Sequence, residues 1–237
     1  MVSKFIKLLN RDIASINQAA VLLGVFSLVS QLFGLLRDRL LASLVGPSAP
    51  LDAYYAAFRV PDFLYNSFAV LFSVTVLIPF IVEYMEKRKQ GEHATFRHFI
   101  DSVFTTYFFG MLVVCVVAFV CMPALSHIIA PGFGVQERHT LILFARTMLL
   151  SPFLFGLSNL FTSFAQVQKK FLSFALAPVL YNLGILIGVI FFRQWWGMYG
   201  VVIGVIVGAL FYMLLQIPPL IELASFPGFV WRIDWAL

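Results

Sequence analysis

The chain has 237 residues, 61% hydrophobic and 11% charged, with a formal net charge of +5 and a mean hydropathy of +0.95. A soluble domain carries about 25% charged residues, so most of this chain cannot face water. Its 27 phenylalanines and its Leu, Val and Ile recur in blocks of the ~20 residues that cross a bilayer. The composition therefore specifies an all-α, polytopic membrane protein. The positive balance is scattered over short loops, where Lys and Arg set orientation, so it gives no sign of nucleic acid.

Taken in chain order, a basic start (Lys4, Lys7, Arg11) precedes an apolar stretch of spanning length with no small-residue cleavage site behind it. That stretch reads as the first membrane helix rather than a signal peptide, running from about Gln18 into "SQLFGLLRDRLL". Five more spans follow at about 63–84, 99–122, 141–167, 174–192 and 198–220. A short apolar lead-in at 53–60 and a break at Pro61 precede the second. The expected organisation is an amphipathic N-terminus over 1–17, a six-helix lobe over 18–221, and an interfacial tail or start of a linker over 222–237. In that tail Trp231, Arg232 and Trp235 suit the membrane surface.

An even number of spans puts both ends on one side. Of the 16 basic residues, 10 fall there: Lys4, Lys7, Arg11, Lys87, Arg88, Lys89, Arg97, Lys169, Lys170 and Arg232. The other six, Arg37, Arg39, Arg59, Arg138, Arg146 and Arg193, include no lysine. Positive-inside logic predicts cytoplasmic termini.

Polar residues inside the spans carry the functional reading. Ser27, Ser30, Gln31, Gly34, Arg37 and Asp38 recur at helical spacing and form one stripe on the first helix. Helix packing accounts for Ser27, Ser30 and Gly34, because small and polar residues bring membrane helices together. Arg37 and Asp38 are harder to place. If the helix runs on to Val45 they lie a couple of turns inside, where a charge costs ~2.5–3.5 kcal/mol on the lenient scales. Position alone leaves two readings open, an interfacial anchor or a charge facing a cavity. Adjacency is not expected to pair Arg37 with Asp38, since neighbours point to different sides of a helix. A second cluster, "PLDAYYAAFRVPDFLYN", sets Asp52, Arg59 and Asp62 around Pro61. It reads either as a re-entrant loop at the headgroups or as a partner of Arg37 in a polar pocket, where arginine's planar fork would suit phosphate.

The remaining candidates have plainer readings. Asp101 is expected to be an end charge, Arg146 to snorkel outward, and Asn182 to hydrogen-bond across helices. His127 and His139 flank an exposed turn, "APGFGVQE". Cys115 and Cys121, six residues apart on one helix, point to different faces, so neither a disulfide nor a metal site is expected. With no phosphate loop, nucleophile elbow or paired catalytic carboxylates, no enzymatic activity and no cofactor is expected.

"FSLVSQLFGLLRDRLLASLVG" followed by "LDAYYAAFRVPDFL" resembles the start of the MurJ (MviN) family, whose pattern is close to S-R-x-L-G-x-x-R-D, then D-A-F-x-x-A-[FR]-[KR]-[LIV]-P-N. "APGF", "FALAPVLYNLGI" and "GALFYMLLQIPPL" continue the resemblance to the C-terminus. It implies one lobe of a fourteen-helix transporter of the multidrug/oligosaccharidyl-lipid/polysaccharide exporter superfamily, which flips lipid II, a peptidoglycan precursor, across the bacterial cytoplasmic membrane by alternating access. A second lobe, from the same gene or a partner protein, is implied as well.

Carried over residue by residue, the resemblance makes Gln31, Arg37, Asp38, Asp52 and Arg59 the candidate contacts for an anionic, polyprenyl-pyrophosphate-linked substrate, and leaves Arg39 an anchor. Gln31 stands where the family has its first arginine, and Asp62 where it has asparagine after the proline. Tyr65 and Asn66 replace two arginines, and Val70 and Leu71 replace a glutamate–glycine pair. Three positive charges and one negative charge of the pattern are thus missing, which weakens a pyrophosphate site. The alternatives are a degenerate, non-transporting module that pairs with another protein, or an exporter of another lipid-linked oligosaccharide. The absence of mid-helix acids argues against ion-coupled drug export.

Overall fold

The computed structural model describes residues 15–68, 74–222 and 227–230. The basic start, Val70 and Leu71, and the tail residues Trp231, Arg232 and Trp235 lie outside these, as do most of the segments 1–17 and 222–237. Helices follow one another throughout: α1 Ile16–Leu44, α2 Ala49–Ala57, α3 Arg59–Phe68, α4 Val74–Lys89, α5 His93–Ile129, α6 Val135–Met148, α7 Leu150–Val167, α8 Phe171–Ile187, a π-helical turn Gly188–Phe192, α9 Arg193–Trp196, α10 Met198–Leu214 and α11 Ile217–Glu222. The all-α, polytopic class expected from composition is the fold observed. Five stretches among the described residues are long and apolar enough to cross a membrane: Asn17–Leu44, His93–Ile129, Val135–Val167, Phe171–Trp196 and Met198–Ile221. These match the first and the third to sixth expected spans, while the second, 63–84, crosses the undescribed residues 69–73.

Prolines and glycines decide where the chain bends. Pro61 lies in the first turn of α3, where no intrahelical N–H is required. The break it signals therefore falls just before it, at Phe58 between α2 and α3. Pro152 cannot donate to the carbonyl four residues back, and the Ser151 hydroxyl donates to that carbonyl, Met148 O, at 2.7 Å. The long fourth span accordingly divides into α6 and α7. Gly46 (φ +66°) turns the chain out of α1 in the left-handed conformation that favours glycine.

Helix α8 forms the hub, packed on α10 along its length and on α1 across its other side. The α8–α10 seam is a backbone contact. A Cβ added at Gly188 would lie 2.7 Å from the Gly204 Cα, and one at Gly204 would lie 2.6 Å from the Gly188 Cα. Gly184 against Gly208 is tighter still, and Gly200 abuts the Phe192 carbonyl. Glycines four residues apart on both helices let the backbones touch, which is how membrane helices gain van der Waals energy without a hydrophobic drive. This G-x-x-x-G spacing (184/188 and 200/204/208) is legible in the sequence, yet the reading from apolar blocks alone passed over it. Around the seam α7 packs on α10 and α4, α2 on α6, and α5 on α4 and α7. The core runs through Leu41, Tyr54, Phe96, Met122, Leu141, Met148, Ile185 and Val205, among others.

Candidate functional site

The polar stripe of α1 divides in two. Ser30, Gly34 and Arg37 turn toward α8: the Asn182 side-chain amide donates to Ser30 Oγ at 3.0 Å and to the Ser30 carbonyl at 3.2 Å, and Gly34 lies beneath the Asn182 amide oxygen. Ser27, Gln31 and Asp38 face outward and are exposed. Asn182 thus makes the cross-helix hydrogen bond expected of it.

Helix α1 continues to Leu44, which places Arg37 and Asp38 about two turns inside its end. Contrary to expectation, the two residues pair. Arg37 Nε donates to Asp38 Oδ1 at 2.9 Å, because the long arginine side chain curls sideways around the helix to a carboxylate that points elsewhere at its Cβ. The Arg37 side chain is 24% exposed and that of Asp38 49%, so the guanidinium sits in the wall of the lobe while the carboxylate faces out. Tyr54 and Tyr181 lie close enough to Arg37 to interact with it electrostatically. The Tyr54 hydroxyl is buried and has no hydrogen-bond partner among the described residues. A guanidinium carries five N–H donors, and the Asp38 bond is the one hydrogen bond Arg37 makes among the described residues. The remaining donors are available to an anion, against a pair whose own charges cancel.

The second cluster goes elsewhere. Asp52 is exposed in the first turn of α2, where a carboxylate complements the helix dipole. Arg59 is exposed and its Nη1 donates to the Ile129 carbonyl at 2.9 Å, capping the C-terminus of α5. Asp62 and Asn66 are exposed. Tyr65, at an expected arginine position, accepts a long hydrogen bond (3.4 Å) from Asn159 Nδ2 and rests its ring on Phe155. The described residues therefore join Arg37 to Asp38 and α8, and Arg59 to the end of α5, without a hydrogen bond between the two sets. Along α3 and α5, Arg59 heads an apolar groove of about 570 Å3 lined by Phe63, Leu64, Val117 and Leu125.

Two further residues depart from their plain reading. Arg146 does not snorkel outward. Its Nε donates to the Phe119 carbonyl at 3.0 Å, and its guanidinium lies 4.4 Å from the Phe119 ring centre. Pro123 explains this, since it removes the N–H that would have bonded Phe119 O. A carbonyl left bare at membrane depth needs a donor, and Arg146 supplies one. Asp101 is likewise more than an end charge. It is buried, and its Oδ1 accepts the Gly228 N–H at 2.6 Å. Arg193 donates to the Leu44 carbonyl at 3.0 Å and so caps α1 beyond the Arg37–Asp38 pair.

A helical lobe with one arginine–aspartate pair set into the wall of its first helix defines a polytopic, all-α membrane module. Its family follows from comparison: the model of the family described as "Lipid II flippase MurJ" matches residues 41–235, and the chain belongs to that family. The chain is 27% identical over 216 residues to the probable lipid II flippase MurJ of Buchnera aphidicola subsp. Acyrthosiphon pisum, covering 88% of this chain and 42% of that protein. It is also 27% identical over 214 residues to the lipid II flippase MurJ of Burkholderia cenocepacia, covering 89% and 41%. A solved structure described as "Lipid II flippase MurJ, inward closed conformation" superposes with a TM-score of 0.71 at 24% identity, over 90% of this chain and 44% of that one, a likeness of fold. The chain spans about two fifths of the length of the curated relatives it matches.

Proposed function

We propose that the chain is the first lobe of a flippase that moves a polyprenyl-pyrophosphate-linked, lipid II-like peptidoglycan precursor across the bacterial cytoplasmic membrane by alternating access. The observation that carries this reading is the Arg37–Asp38 pair, two turns inside α1, with guanidinium donors left over. A charge at that depth ordinarily faces a cavity, a partner or a ligand, and the guanidinium fork matches phosphate oxygens. Asp38 orients the guanidinium, and Gln31 lies on the exposed side of the same helix. Asp52 and Arg59 serve as outer contacts, with Arg59 turning from the Ile129 carbonyl to the headgroup. The second lobe comes from a continuation of the chain or from a partner protein. Both termini are cytoplasmic, and the protein transports without catalysing a chemical step or using a cofactor.

The test is flipping of a fluorescent pyrophosphate-linked polyprenyl lipid in vesicles holding the full-length protein. Arg37→Ala is expected to cut the rate at least tenfold while leaving thermal stability in detergent unchanged, and Arg37→Lys to retain part of the activity. An undiminished rate in Arg37→Ala overturns the assignment. A second reading, a non-transporting module that pairs with another protein, draws support from Tyr65, which is turned to Asn159 on α7 where the family resemblance places an arginine. That reading expects Arg37→Ala to be silent and the exposed α1 face to carry partner binding.

A further inference from the structure

The geometry points to a peptide-docking site on α5, formed by Asp101 and Thr105, that latches the segment 227–230 of this same chain. Asp101 Oδ1 accepts the Gly228 N–H at 2.6 Å and Thr105 Oγ1 accepts the Val230 N–H at 3.1 Å. The Thr105 hydroxyl is in turn committed, donating to the Asp101 carbonyl at 2.6 Å, which leaves its lone pairs aimed outward. The spacing explains the match. Side chains one helical turn apart are separated by a rise of about 6 Å, and N–H groups two residues apart on an extended chain repeat every ~6.6 Å on one side. A helix bearing acceptors at i and i+4 therefore reads alternate amides of a strand laid along it.

Between the two amides, Phe229 sets its ring against Phe104 and Phe108, at 5.4 and 5.1 Å between ring centres, and Phe108 continues the contact to Phe153 on α7. Arg97 Nε stands 3.8 Å from the other Asp101 oxygen and balances the carboxylate. Backbone amides, a half-exposed aromatic contact and a balanced carboxylate together suit an N–H/aromatic/N–H tripeptide, which "GFV" (228–230) provides. The occupant is tethered, since the six residue steps from Glu222 to Gly228 reach at most about 22 Å, so its effective concentration at the site is high.

The consequence is topological. The latch returns residues 227–230, which follow α11 in the chain, to the flank of α5. Under the function proposed above this is the stretch that leads toward a second lobe, but the latch itself does not depend on what is transported.

Amide hydrogen exchange on the 15N-labelled full chain in nanodiscs reads the two bonds directly. Gly228 and Val230 are expected to exchange at least tenfold more slowly than free peptide. Asp101→Ala is expected to abolish the protection at Gly228, while Asp101→Asn, which keeps an acceptor oxygen, retains part of it. Thr105→Val is expected to release Val230 more than Gly228, a site-resolved pattern that general loosening of the lobe would not give. If Asp101→Ala loosens α8 and α10 as well, Thr105→Val and Phe229→Ala decide the matter. Free-peptide exchange at Gly228 and Val230 in the parent, or protection indifferent to both Asp101→Ala and Thr105→Val, overturns the proposal.

Discussion

Helix α1 presents Val21, Val25, Leu28, Leu32 and Leu35 outward at 52–67% exposure, whereas α10 buries Val201, Val202, Val205 and Ala209 completely. Both helices are long, apolar and of spanning length. What separates them is side-chain volume at the contact. Along α10, Gly200, Gly204 and Gly208 recur every fourth residue and admit the backbone of α8 and of the π-helical turn that follows it. Along α1, contact with α8 runs through Ser30, Gly34 and Arg37, and the opposite face repeats with a heptad spacing of large aliphatics that nothing among the described residues covers. In a bilayer, lipid is as apolar as leucine, so greasiness does not choose which face packs; closeness and hydrogen bonding do.

That contrast can be broken at its tight end. Gly204→Leu forces a side chain where even a Cβ lies 2.6 Å from the Gly188 Cα. Overpacking that moves backbone is expected to cost about 3 kcal/mol or more, seen as lost monodisperse protein and a lowered melting temperature in detergent. Next comes the proline-linked donor. Arg146→Met leaves the Phe119 carbonyl bare and is expected to cost about 1–3 kcal/mol. Adding Pro123→Ala, which restores the helical N–H, is expected to recover most of that loss. A double-mutant cycle in thermal unfolding measures the coupling, and strictly additive effects would refute the link between the two residues.

At the α1–α8 contact, Asn182→Leu removes the bonds to Ser30 and is expected to cost about 0.6 kcal/mol, the average for such bonds in membranes, and at most about 1.7 kcal/mol. The smallest effect belongs to the open face. Leu28→Ala and Leu32→Ala are expected to change the stability of this lobe by less than about 0.5 kcal/mol each, as for surface positions generally. A loss above about 2 kcal/mol from either would mean that the outer face of α1 is buried against another part of the protein, and would remove the contrast.

Much of the architecture was legible because apolar length is a one-dimensional property. Four of the later spans and the first appear where the apolar blocks lie, and Asn182 makes the bond its position suggested. The arginines were less legible. Four of the six set apart from the lysine-rich loops share a chemistry the orientation count does not see: Arg59, Arg138, Arg146 and Arg193 donate to the carbonyls of Ile129, Phe133, Phe119 and Leu44. A planar fork on a long stem suits that task better than lysine's point charge. The Arg37–Asp38 pair was missed for a related reason. Backbone geometry fixes where a Cβ points, but not where four side-chain torsions carry a guanidinium.

By itself, then, the sequence determined a helical membrane fold, the break before Pro61, and a family resemblance running through its motifs, because length, apolarity and proline act locally. Only the tertiary structure decided which carbonyls each arginine meets, which face of α1 remains open, and that Asp101 holds residues 227–230. Most of those depend on groups far apart in the chain, up to 152 residues for Ser30 and Asn182, brought within hydrogen-bond range by packing that no local pattern encodes.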